Sequence, residues 1–218
     1  MIVIENVTKK FGKRIVLQEV SCNLSPGTSY AIIGKSGVGK TTFLNIIGGL
    51  ENPTSGKVII DKQALTTKNL KMLRRDKFGF IFQNFGLIDN ESIGENLEIG
   101  LANQKINKSK GIVTMKAVLN KLGLENLSLK QTIHTLSGGE QQRIALARII
   151  LKKPQIIFAD EPTGSLDGDN AKLIIDHLLN DFDEQATILI ATHDPNVWQR
   201  CDYVIEIINQ NVQIIKNS

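Results

Sequence analysis

The spacing of apolar residues changes character several times along the chain. Ile2-Val3-Ile4 and Ile15-Val16-Leu17 are short β-branched runs between charged and glycine turns, and they read as strands. Tyr30-Ala31-Ile32-Ile33 is a wholly apolar strand that runs into a glycine-rich loop. From Lys40 to Leu50 the apolar positions Phe43, Leu44, Ile46, Ile47 and Leu50 take helical spacing, with Gly48-Gly49 near the end. Lys57–Ile60 and Phe78–Phe82 are further strands.

Between Gln83 and Thr135 the chain becomes rich in Asn, Leu, Lys and Glu. It reads helical around Ile93–Leu101 and Val113–Leu122, with the basic run Lys105–Lys110 as a solvated loop. Strand–helix alternation then resumes: a helix to Lys152, a strand over Gln155–Ala159, a helix over Ala171–Leu179 and a strand over Thr187–Ala191. Val204–Ile208 and Val212–Ile215 form a closing hairpin. Fully apolar strands alternating with helices require a mainly parallel sheet covered on both faces. The expectation is one α/β domain over residues 1–218, with an antiparallel β portion at the amino end and an inserted helical subdomain at 84–135.

Composition narrows the class. The chain has 218 residues, 41% of them hydrophobic and 22% charged, an ordinary globular balance that excludes disorder. At this length folding buries roughly 70% of the unfolded surface. The net charge of +4 fits an anionic ligand or a membrane surface and does not by itself imply nucleic acid. Cys22 and Cys201, far apart, exclude a disulfide framework or a cysteine-based zinc site. No run approaches the ~18 consecutive apolar residues of a membrane helix, and the amino terminus is unlike a secretory signal. A role at a membrane would therefore be that of a peripheral subunit on its cytoplasmic face.

Gly34-Lys35-Ser36-Gly37-Val38-Gly39-Lys40-Thr41 matches the phosphate-binding loop G-x-x-x-x-G-K-[ST], between a strand and a helix as the chemistry requires. Glycines let successive backbone N–H groups curl around a phosphate, and the helix start adds unpaired donors and partial positive charge. Lys40 reaches the β- and γ-phosphates of a bound nucleotide, the Thr41 hydroxyl is a Mg²⁺ ligand, and Thr42 continues the phosphate-facing turn.

Ile156–Ala159 ends in Asp160-Glu161. Ligands of open α/β sheets sit beyond the carboxyl ends of strands, where Asp160 would hold Mg²⁺ and Glu161 would polarise an attacking water. Ile188–Ala191 likewise ends in Thr192-His193, placing a γ-phosphate hydrogen-bond donor on the same side. Gln83 follows the strand Phe80-Ile81-Phe82 and would reach metal or water.

Leu136-Ser137-Gly138-Gly139-Glu140-Gln141-Gln142-Arg143 reads physically as a capped helix start: Ser137 is the N-cap and Glu140 closes a capping box. The same run resembles the signature sequence of the ATP-binding-cassette (ABC) ATPases, LSGGQ with Glu in the fifth place. The phosphate loop, Gln83, the signature, Asp160-Glu161, the turn Ser165-Leu166-Asp167 and His193 stand in that family's order over essentially the whole chain. The resemblance implies a P-loop ATPase fold and ATP hydrolysis with Mg²⁺. It also implies a head-to-tail homodimer in which Ser137, Gly138, Gly139 and Glu140 close over the partner's phosphate loop. Asp167 would communicate between the two ATP sites. Phe11 stands where the family stacks an aromatic ring on adenine, often Tyr; a simple core Phe is the alternative.

The chain shows no heptads or Cys pairs of the kind that long insertions carry in DNA-repair ABC ATPases, and only one cassette. It resembles a transporter ATPase with a separate membrane permease and no nucleic-acid partner. Gly79–Phe85 and Ala159–Asp167 are similar to the macrolide-export, lipoprotein-release and antimicrobial-peptide-resistance ATPases. Asn84–Glu91 further resembles lactococcin-type bacteriocin exporters. The alternatives are an importer ATPase for a small solute and a non-transport ABC ATPase. High Ile, Asn and Lys content suits a low-GC bacterium.

Overall fold

The computed structural model describes residues 1–164 and 166–217. The chain divides into two compact units. One holds 1–78, 155–161 and the chain from Asp183 onward; the other holds 79–154 and 162–182.

The first unit contains one whole sheet and five of the six strands of the other. β1 (Ile2–Phe11) and β2 (Arg14–Leu24) form an antiparallel hairpin, with Phe11 paired to Arg14 at its tip. After β3 (Ser29–Ile33) and helix α1 (Lys40–Ile47), β4 (Ser55–Ile60) and β5 (Gln63–Ala64) complete a four-stranded antiparallel sheet in the order β2-β1-β4-β5. Ile2 lies opposite both Leu24 and Ile60, so the alternate positions Ile2, Ile4, Leu24, Val58 and Ile60 bury one face. The antiparallel portion expected at the amino end is therefore present.

Helix α2 (Thr67–Asp76) follows, then β6 (Phe78–Ile81). Further along the chain come β7 (Ile156–Asp160), β8 (Thr187–Ala191), the short helix α7 (Pro195–Trp198), and β9 (Tyr203–Ile208) with β10 (Asn211–Lys216). Within this unit the second sheet runs β10-β9-β3-β8-β7, and Phe78, at the start of β6, packs edge-on against Phe158 with ring centroids 5.2 Å apart. β3 is parallel to β8 and β9, and β7 is parallel to β8, while β9 and β10 form the expected hairpin. β8 is buried at every position and β7 at all but its last, as strands covered on both faces must be. Helix α1 lies on β3, β7 and β8 and buries Phe43, Leu44, Ile46 and Ile47.

The second unit is built on helices α3 (Ile93–Leu101), α4 (Lys108–Lys121), α5 (Gly138–Lys152) and α6 (Gly168–Asn180). The helices α3, α4 and α6 each pack on α5. Gly100 permits the closest approach: a Cβ there would fall 2.4 Å from the backbone oxygen of Arg148.

Two expectations need correction, and one helix is additional. The helix from Lys40 stops at Ile47 because Gly49 takes a φ of +67° and turns the chain away, with the Leu50 N–H closing back on the Asn45 carbonyl at 2.8 Å. The basic run Lys105–Lys110 is only half loop: Asn107 caps the backbone of Lys110 and α4 begins at Lys108. Helix α2 was not expected, since few apolar residues mark it; it is closed at its start by Asn69, whose side-chain oxygen accepts the Thr66 N–H at 2.9 Å.

Candidate nucleotide site

Strand register places the chemistry. Ile32 on β3 and Asp160 on β7 both pair with Ala191 on β8, so the three strands end in one row. The loop after β3, the carboxylates at the end of β7 and the histidine after β8 therefore share one edge of the sheet, the edge where α/β folds bind ligands.

The loop enters α1 through Gly39, whose φ of +117° is open only to glycine and whose absent Cβ leaves room for Val16. No acidic residue sits in the first turn of α1 to compete for its N–H donors. Lys40 Nζ donates to the Gly34 carbonyl at 3.2 Å, so the ammonium lies back along the loop. Thr41 Oγ1 donates to Asp160 Oδ1 at 3.0 Å.

Burial pushes the Asp160 carboxyl up, assisted by the nearby Glu161 charge, while the Thr41 hydrogen bond and Lys40 oppose the rise. A desolvated carboxylate beside a hydroxyl is a hard-oxygen pair that suits Mg²⁺, which uses one or two protein oxygens and takes the rest from phosphate and water. Among the described residues no cluster of three acidic, His or Cys side chains offers a cation a fuller cage.

Glu161 leaves the strand with φ of +45°, a left-handed conformation uncommon outside glycine and asparagine. Its N–H donates to the Ala191 carbonyl at 2.8 Å, which fixes the turn to the end of β8. Its Oε1 is 2.9 Å from His193 Nδ1. The carboxylate side chain is 18% exposed and the imidazole 73%, so the histidine forms the outer layer and the carboxylate the inner one.

Phe11 is half exposed at the hairpin tip, an arrangement open to a stacked ring and unlike a core residue. Two neighbours of this platform were not singled out from the sequence. Lys9 Nζ sits 4.7 Å from the Phe11 ring centroid and donates to the Asn52 carbonyl at 2.8 Å. Arg14, across the hairpin, donates from Nη2 to the Gly37 carbonyl at 2.7 Å and ties the hairpin to the phosphate loop. Their only sequence signal was strand alternation about the Gly12-Lys13 turn.

The remaining candidates lie in the second unit. Ser137 is the N-cap of α5, its Oγ accepting the Glu140 N–H at 3.3 Å while Glu140 Oε2 accepts the Ser137 N–H at 2.8 Å. These bonds from Ser137 hold the Glu140 carboxyl below the usual range. Gly138 is exposed at the helix start, and its partly buried neighbour Gly139 faces Asn170. Asp167 caps α6 by accepting the Asn170 N–H at 3.0 Å. Gln83 is exposed, in a turn closed by the Phe85 N–H on the Phe82 carbonyl at 2.9 Å. Buried Arg148 of α5 latches that turn by donating to the Gly86 carbonyl at 2.8 Å. Ser165, part of the motif turn before Asp167, lies outside the described residues.

Residues 17–164 match the family model described as ABC transporter. The chain belongs to the ABC transporter family. It is an ABC ATPase, an ATP-binding subunit of that family. It is 40% identical to the lipoprotein-releasing system ATP-binding protein LolD of Protochlamydia amoebophila, over 89% of this chain and 86% of LolD. It is 38% identical to the macrolide export ATP-binding/permease protein MacB of Campylobacter jejuni, over 95% of this chain and only 33% of MacB. The chain thus spans about a third of that relative. Among solved structures, the dimeric post-hydrolysis state of the ATP-binding cassette MJ0796 bound to ADP and Pi superposes with a TM-score of 0.88. The two are 34% identical and the match covers 100% of this chain and 99% of that one. The α/β ABC cassette expected from the motifs is thereby found. Among the described residues of the ABC ATPase, no helix is long and apolar enough to cross a membrane.

Proposed function

We propose that this ABC ATPase binds two ATP molecules with Mg²⁺ between two head-to-tail copies, and that hydrolysis drives a membrane permease of the export kind. The observation that carries the reading is the shared row of Ile32, Ala191 and Asp160, which sets phosphate loop, carboxylates and histidine along one sheet edge.

In this reading the loop N–H groups and Lys40 bind the phosphates and Phe11 carries the adenine. Thr41 and Asp160 would hold Mg²⁺, which when bound draws charge from the phosphate oxygens. Gln83 keeps the metal or water role its motif order gives it. Glu161 accepts a proton from water poised for in-line attack, and His193, hydrogen-bonded to Glu161, donates to the γ-phosphate. Ser137, Gly138, Gly139 and Glu140 present a capped helix start to the nucleotide of the partner copy. Asp167 links the two sites.

The names of LolD and MacB support export, and the dimeric form of MJ0796 supports the pairing. The resemblance of Asn84–Glu91 favours a peptide or antimicrobial as the exported solute. Affinity purification from solubilised membranes with ATP tests the partner. Recovery of a permease whose presence raises ATP turnover is the expected result. Recovery of nucleic acid, with turnover raised by nucleic acid and by no membrane fraction, would overturn the transport reading.

A further inference from the structure

We propose that Asn170 is a positioning residue for ATP hydrolysis: its side-chain amide bridges Arg143 on the signature helix to Asp167 in the inter-site turn, so that the two move as one piece. The proposal rests on the reading of the signature and Asp167 as parts of the closed dimer.

Both ends of the amide are committed. Asn170 Oδ1 accepts from Arg143 Nη1, and Asn170 Nδ2 donates to Asp167 Oδ2 at 3.0 Å. The Asn170 backbone N–H donates to the other carboxylate oxygen, Oδ1, also at 3.0 Å. An ordinary helix cap needs only that last bond. The relay from Asp167 to a second helix is additional.

Three further features make the bridge specific. Gly139 of the signature faces the amide: a Cβ there would fall 3.4 Å from Nδ2 and 3.5 Å from Cγ of Asn170. The signature backbone thus runs past the relay with room for no more than a Cβ between them, and is tied to it through Arg143. Among the described residues Arg143 Nε is buried without a hydrogen-bond partner, which leaves the Nη1 bond to Asn170 to help orient that guanidinium. Finally, the Arg143 charge acts on both Glu140 and Asp167, one at each end of the arrangement. A neutral amide suits this place because it accepts from a cation and donates to an anion at once. An aspartate at 170 would set two carboxylates face to face.

The test is a double-mutant cycle on steady-state ATPase of the full chain, with nucleotide affinity read by a fluorescent ATP analogue. Asn170→Ala should lower kcat roughly tenfold and reduce the Hill coefficient for ATP toward about 1, with analogue affinity within about twofold of wild type. Asp167→Ala should do much the same. Because both act through one connection, the double variant should be no worse than the worse single variant, within about twofold. Losses that multiply, or a kcat within about twofold of wild type in Asn170→Ala, would overturn the proposal. If Asn170→Ala does not fold, Arg143→Lys replaces it in the cycle with the same two outcomes. Ser137→Arg is measured alongside as the control for the underlying reading. If it leaves turnover intact, the signature is not at a closing interface and the broader reading fails. If it abolishes turnover while the cycle is multiplicative, only the role of Asn170 fails.

Discussion

Replacing Glu161 by glutamine separates two roles that the geometry allows. The Glu161 carboxylate is 2.9 Å from His193 Nδ1 and is only 18% exposed. Glutamine has the same length and keeps an acceptor oxygen for the imidazole, and it enters the same left-handed backbone at φ +45°. If Glu161 served only to orient His193, the substitution would cost little. If it takes a proton from attacking water, the base is lost outright, because an amide oxygen is not basic at neutral pH. Loss of a general base slows turnover by about 10²–10⁴-fold. At about 1.4 kcal/mol per decade that is about 3–6 kcal/mol of barrier. The phosphate loop is untouched, so ATP affinity should stay within about threefold of wild type, and ATP-bound dimer should accumulate. Phosphate release at saturating ATP gives the rate, fluorescent ATP titration the affinity, and light scattering the dimer. Turnover within about threefold of wild type would refute the assignment of Glu161 as the base.

Lys40→Ala should weaken ATP binding at least about a hundredfold, since charge-assisted bonds to two phosphates are each worth about 1.5–3 kcal/mol; titration with a fluorescent analogue checks it. Phe85 is half-buried in the turn after Gln83, and Ile88 beside it is 50% exposed. If this patch receives the permease, Phe85→Ala leaves the melting temperature and ATP binding of the isolated chain unchanged and uncouples turnover from the permease in membranes. A fall of several degrees with unchanged permease binding would make Phe85 core. Glu140→Gln should cost roughly 0.5 kcal/mol at pH 7, a value kept small because the group is largely solvated. Ser137 holds the Glu140 carboxyl below its ordinary value near 4.5, so its stabilisation is present above that pH and is lost as pH falls through the lowered pKa. Denaturant unfolding of both proteins from pH 7 to pH 3 should therefore show the gap closing below about 4.5; a constant gap would contradict the cause given.

What was legible in the sequence was whatever depends on near neighbours. The apolar runs of β7 and β8, the glycine loop and the Ser137–Glu140 capping box each carry their signal within a few residues. Helix α2 was not legible, because seven of its ten residues are polar and only Leu73 is buried. The start of α4 was hidden by its basic first turn, where a single asparagine cap outweighs the appearance of a loop. Around the site, the residues missed were those whose partners are distant in sequence. Arg14 meets Gly37, Lys9 meets Asn52, and Asn170 meets Arg143. Periodicity says which face a residue occupies, and only the fold says what comes to meet it.

The left-handed backbone at Glu161 sets the reaction against the heat resistance of the chain. A non-glycine residue in such a conformation costs on the order of 1–3 kcal/mol, borne here by the residue assigned as the base. Glycine or asparagine would occupy the same turn with less strain, and neither has a carboxylate. If Glu161 is the base, laboratory evolution that rewards survival of heating alone will drift toward inactive proteins at position 161. A library built for robustness must screen for phosphate release at every round, or hold that codon fixed.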